Sequence, residues 1–354
     1  MNPYKPQPKK AFWSHTFSRQ GFAEIDSWHE PKFDISNLKI ASAGSCFAQH
    51  IGRALKDNGF KYMDVEPAPD FLPQEDWQKY GYGIYSARYG NVYTVRQMYQ
   101  LAQRAFGKFK PVDNIWEHKG GVVDPFRPTL EPEPFGSAEE LEMCRRTHLE
   151  SVADLLSSTG LLIFTLGLTE SFVSSHDGAV FPVCPGVSGG KFSEDNYSFA
   201  NFSYSDVVRD FNALKLLLHS NNRSIRFLLT VSPVPLVATA TKKNVGVATT
   251  YSKSVLRAAA GALADGKSRV DYFPSYEIIS MPANQGRYFD KNKRNVTAEG
   301  VSHVMENVMQ SYKKSDGQGG IKVKNTAVDP ISLQGLSKSD SVVCDEELLA
   351  QFGN

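Results

Sequence analysis

The chain has 354 residues and a formal net charge of +1, with 41% hydrophobic and 22% charged residues. That is an ordinary globular composition with enough apolar residues for a large core. A balance this even excludes a strong overall electrostatic case for nucleic acid or an anionic membrane as partner. Four cysteines, Cys46, Cys144, Cys184 and Cys344, are scattered. No two have the close spacing of a zinc knuckle or a redox motif, so they read as separate thiols of a reducing compartment. The N-terminal MNPYKPQPKKAFW has no apolar h-region, and no stretch reaches the roughly 18 apolar residues of a membrane span. A soluble, cytoplasmic protein is expected.

Residues 1–36 read as an extended arm, because Pro3, Pro6 and Pro8 block helix and the apolar residues have no period. The ordered domain is expected over 37–312. It opens with a strand at 38–43, broken by Gly44-Ser45. A helix then carries Phe47, Ile51, Leu55 and Phe60, closed by Asn58-Gly59. Residues 68–90 read as irregular, 92–106 as a helix and 107–136 as loop. Ser137-Ala138-Glu139-Glu140 opens a helix to about 157. Leu161–Leu166 is a buried strand. Residues 171–201 read as an inserted hairpin or loop around Asp177-Gly178 and Pro185-Gly186. A helix at 204–220, a buried strand at 225–231, a helix at 252–263, a short strand at 270–273 and a last helix at 297–312 follow. The strands alternate with helices, which predicts a mostly parallel sheet covered on both faces. From 313 to 354 the chain turns to Lys, Ser, Asp and Gly and reads as a flexible tail.

In such folds active residues sit at the carboxyl ends of strands. Ser45 stands there, between a strand and a helix, where the helix N-terminus favours a developing negative charge. The N–H groups of Ser45 and Cys46 are candidate oxyanion donors. The plainer reading is that Ser45 is an N-cap, a place serine favours. Cys46 is a competing nucleophile, since a helix N-terminus can lower a thiol pKa. The tyrosines 82, 85, 89 and 93 offer either a stacking platform for a carbohydrate or a small satellite core.

Ala43-Gly44-Ser45-Cys46-Phe47-Ala48 resembles the signature of the GSCFA family, which is similar to the SGNH/GDSL hydrolases. Five further blocks match in order: 90–94, 165–170, 231–234, 252–257 and 272–277. The resemblance implies a three-layer α/β/α sandwich with Ser45 as nucleophile and the Gly90 backbone N–H on the oxyanion. The third SGNH block normally supplies an asparagine amide. Here it reads Gly167-Leu168-Thr169-Glu170, so Thr169 or Asn91 is left to fill that place. Glu170 is a candidate for orienting a base or binding a sugar hydroxyl.

The last block departs most. SGNH enzymes carry Asp-x-x-His before the final helix, and this chain has Asn292-Lys293-Arg294-Asn295. Asparagine cannot take a proton at neutral pH. His303, His50 and His176 are alternative bases. Lys253 is another, if burial or a helix N-terminus lowers its pKa. The resemblance implies a serine-dependent esterase or O-acyltransferase acting on acylated saccharides. It needs no cofactor, unless a transferase uses an acyl donor such as acyl-CoA. The alternative is a glycan-binding or scaffold protein that kept the fold and lost its base.

Overall fold

The computed structural model describes residues 2–18, 21–25, 28–312 and 345–353. Its centre is a four-stranded, all-parallel sheet of β1 (Ile40–Gly44), β4 (Leu161–Leu166), β8 (Arg226–Val231) and β9 (Val270–Tyr272), in that order. The register runs Gly44 beside Thr165 and Leu166 beside Val231, so β1, β4 and β8 end together. Every residue of β1 and β4 is buried, the signature of strands covered on both faces.

Successive side chains of a strand point to opposite faces, and the core divides accordingly. Ala41, Ala43, Leu162, Phe164, Phe227 and Leu229 pack on one side. Their partners come from α3 (Val95–Ala105), α4 (Ala138–Ser158), α5 (Tyr204–Asn221) and α6 (Val245–Ala264). Ile40, Leu161, Ile163 and Leu228 point the other way. There they meet α2 (Ala48–Asp57), α7 (Ser275–Ser280) and α8 (Ala298–Tyr312). The result is the expected three-layer α/β/α sandwich.

Two small antiparallel sheets sit outside it. The insertion at 171–201 forms a three-stranded sheet of β5 (Glu170–Ser174), β6 (Val180–Phe181) and β7 (Tyr197–Asn201), with β5 in the middle. The stretch expected as loop at 107–136 contains a hairpin, β2 (Trp116–His118) and β3 (Gly121–Val123). Lys119 and Gly120 both have positive φ, the turn that a two-residue hairpin needs. The lysine hid that signal, because asparagine or aspartate usually holds its place.

The N-terminal arm is laid against the domain. α1 (Trp13–Thr16) brings Trp13 onto Phe17, which reaches Phe22 and Trp28. Phe22 in turn packs on Tyr288. The buried Ile25 and Ile35 and a Lys32 N–H bond to Asp271 (3.0 Å) fasten the rest. At the other end, Asp345–Gly353 forms a 3-10 segment whose first residue is buried. That corrects the expectation of a flexible tail for these nine residues; 313–344 lie outside the described residues.

Candidate active site

β1 stops at Gly44, whose φ is +141°. A Cβ there would stand 2.4 Å from the Thr165 carbonyl oxygen, so only glycine fits. Ser45 follows and is 3% exposed, and its hydroxyl has no hydrogen-bond partner. α2 begins three residues later, with Phe47 at its N-cap and no side-chain cap. Ser45 therefore caps nothing. Leaving a buried hydroxyl unpaired costs about 1–3 kcal/mol, so its placement is paid for elsewhere in the fold. Thr165 and Thr230 also bury unpaired hydroxyls. Ser45 differs from them in facing a pocket.

That pocket lies at the carboxyl ends of β1, β4 and β8, with Ser45, Tyr93, Gly167, Ser232, Lys253 and Glu346 around it. Gly167 permits the closeness, since a Cβ there would come within 3.1 Å of the Ser45 Cβ. Lys253 descends from the middle of α6 and is 2% exposed. Its Nζ donates to the Gly167 carbonyl (2.5 Å). Burial pushes its pKa down; the nearby Glu346 carboxylate opposes this and Arg294 adds to it. The helix N-terminus plays no part, because α6 starts at Val245 and not at Ser252.

Glu346 comes from the C-terminal segment. Its carboxylate lies 3.4 Å from one terminal nitrogen of Arg294, and Glu347 lies 3.3 Å from the other. Burial pushes the Glu346 pKa up, against the pull of Arg294 and Lys253. Cys46 also borders the pocket and is disulfide-bonded. That corrects the reading of four separate thiols and removes the thiolate that a cysteine nucleophile needs. Cys144 and Cys184 are free.

A sequence model of the GSCFA family matches residues 39–308. The chain belongs to the GSCFA family. No curated protein matches it. Among solved structures, it is similar to a serine-to-alanine mutant of an acetyl esterase bound to acetate ion. The identity is 8%, the TM-score 0.32, and the match covers 77% of this chain and 94% of the other.

In this GSCFA protein only some of the expected site residues meet. Ser45 and Lys253 share the pocket. His303 does not reach it: it stacks on Tyr288 (5.5 Å between ring centres) beside Phe22, on the α8 side of the sheet. His50 packs edge-on against Phe47, and burial pushes its pKa down to about 4. His176 sits in the β5–β6 turn next to Asn196.

The oxyanion donors are mostly committed elsewhere. The Ser45 N–H donates to the Thr165 carbonyl (3.2 Å). The Thr169 hydroxyl donates to Asn201 (2.6 Å), so it is not the donor the third block lacks. The Asn91 amide donates to Asp345 (3.1 Å). Gly90 holds φ +67° in the loop before α3, and the Val92 N–H donates to the Gly44 carbonyl (2.9 Å), which fixes that loop beside Ser45. Glu170 accepts from the Thr239 hydroxyl and from the Ala240 N–H, so it braces the chain after β8. Tyr85, Tyr89 and Tyr93 are buried and Tyr82 lies under Arg88, so the tyrosines are core and not a stacking platform.

Sequence reasoning missed Arg294, Asp345 and Glu346. Arg294 stood inside the block inspected for its absent histidine. The two acids lay in a stretch whose composition signals only a tail.

Proposed function

We propose that this GSCFA protein is a serine-dependent acyl-transfer enzyme with Ser45 as nucleophile and Lys253 as base. The observation that carries the reading is a buried, unpaired Ser45 hydroxyl sharing a pocket with a buried lysine whose pKa is lowered. A neutral amine takes the hydroxyl proton, directly or through one water, as Ser45 Oγ bonds to the ester carbonyl carbon. The resulting ammonium returns that proton to the departing alkoxide, leaving an acyl-serine. Water or a sugar hydroxyl then attacks the acyl carbon with Lys253 again as base, and Ser45 is restored. The Gly90 N–H and the Asn91 amide are the donors we assign to the oxyanion, since their loop is tied to Gly44. The family resemblance supports an acylated saccharide as substrate and leaves no step that calls for a cofactor.

Intact-protein mass after treatment with a small fluorophosphonate tests this. One adduct on wild type, absent in Ser45→Ala, is expected. One observation favours a second reading, a binding protein that kept the fold: Lys253 Nζ bonds the Gly167 carbonyl and not Ser45. No adduct from neutral to mildly alkaline pH, in wild type and in Glu346→Ala, would overturn the enzyme reading and favour that one.

A further inference from the structure

The C-terminal segment inserts two carboxylates where the reaction would need room. Asp345 accepts from the Asn91 amide (3.1 Å) and from the Thr129 hydroxyl. Glu346 lines the Ser45 pocket with its side chain only 14% exposed. Arg294 is prepared to meet such a group. Its Nε donates to the Pro235 carbonyl (3.2 Å), which aims the two terminal nitrogens at the carboxylates of Glu346 and Glu347. A guanidinium stays charged at any working pH and matches a carboxylate in shape. A second cation, Lys253, lines the same pocket. Burial disfavours the Glu346 charge even with Arg294 and Lys253 close by, so its position is better explained by recognition than by stability.

We propose that Arg294 forms a carboxylate subsite beside Ser45 and that Glu346 fills it in the resting molecule. The subsite takes a substrate that carries a carboxylate near the acyl group. This deepens the acyl-transfer reading and rests on it for the word substrate; an acylated sugar acid meets both. What must move is the Glu346 side chain, whose charged partner is Arg294, while Asp345 stays held by Asn91 and Thr129. A carboxylate in the subsite is compatible with Lys253 as base. Burial outweighs the opposing effect of Glu346 already present, with Arg294 beside it and Asp345 and Glu170 farther out.

Propionate reproduces the end of a glutamate side chain, so it serves as the probe. In Glu346→Ala, propionate up to about 100 mM is expected to raise the melting temperature in a saturable way, relative to chloride. Wild type, with the subsite filled from within, is expected to show no such rise, and neither is Glu346→Ala combined with Arg294→Met. A chain ending at residue 344 should behave as Glu346→Ala does. This readout needs no reaction at Ser45, so it stands even if the serine proves unreactive. Fluorophosphonate labelling of Ser45 should also be about tenfold faster in Glu346→Ala than in wild type, and propionate should slow it again. No propionate effect in Glu346→Ala, or an equal one without Arg294, overturns the subsite. Slower labelling in Glu346→Ala would make Glu346 part of the reacting machinery and overturn its role as a placeholder.

Discussion

Ser45 joins a costly hydroxyl to a place in the pocket. Its hydroxyl is buried, unpaired and not a cap. Ser45→Ala should therefore raise stability, by about 1–2 kcal/mol in urea unfolding, while removing the fluorophosphonate adduct. A loss of stability would mean that the hydroxyl has a structural partner. Lys253 sets the pH dependence. Its pKa in the fold lies below the ordinary lysine value of about 10.4, so the neutral amine becomes available as pH rises through that lowered value. Labelling of Ser45 should rise with pH and level off below the ordinary lysine range. Lys253→Met should keep the fold, having no ammonium to desolvate, and slow labelling at least 100-fold with a flat pH profile. A rising profile in Lys253→Met would assign the base elsewhere. Ser45 was legible in the sequence because a glycine, a strand end and a helix start are local facts. Lys253 was legible only as a possibility. Its burial comes from the carboxyl ends of β1, β4 and β8 and the C-terminal segment closing around it, and the helix start was misplaced because Val245–Tyr251 carries little apolar period.

At the scale of elements, the β1–α2 turn is the joint on which the site depends. Gly44 approaches Thr165 so closely that any side chain must displace backbone. Gly44→Ala should cost about 3 kcal/mol or more, because a positive φ and a backbone clash add together. Chemical denaturation measures it, and a change under about 1 kcal/mol would show that β1 and β4 can part at that point. The buried strands were readable from continuous apolar runs between glycines. The β2–β3 hairpin was not, since its turn uses Lys119 where short-range rules look for asparagine or aspartate.

The whole molecule is held by contacts that no local rule foresees. Asp124, just after β3, is buried against Arg127 (3.2 Å) and Arg145 of α4 (3.1 Å). Arg104 of α3 is a third nearby cation, lying over Phe126. The burial of Asp124 would raise its pKa, but the three guanidiniums together hold it well below the carboxylate range. A depressed pKa in the fold gives stability that is present above the unfolded value near 3.9 and lost as pH falls. Asp124→Asn should cost about 3–5 kcal/mol at neutral pH, since it leaves buried cations uncompensated. Its deficit should shrink as pH falls below about 4, where wild type begins to lose the same stabilisation. A deficit that stays constant down to acid pH in urea unfolding would refute the electrostatic account.

What the sequence by itself determined is what short stretches of chain can encode. Apolar runs bounded by glycine set a buried parallel sheet, periodic helices set its two covering layers, and Gly44-Ser45 set a turn at a strand's carboxyl end. The membership of the family was equally readable, because its blocks are local strings in order. What only the tertiary structure decided is which distant groups share one low-dielectric space. His303 lies across the sheet from the pocket that Lys253 enters, although both are helical residues with similar local patterns. Arg294 and Glu346 stand 52 residues apart in sequence and meet beside Ser45. Local propensity carries no information about such meetings. The folding of the sheet brings them together, and the loss of water around them then shifts the pKa values on which the proposed chemistry rests.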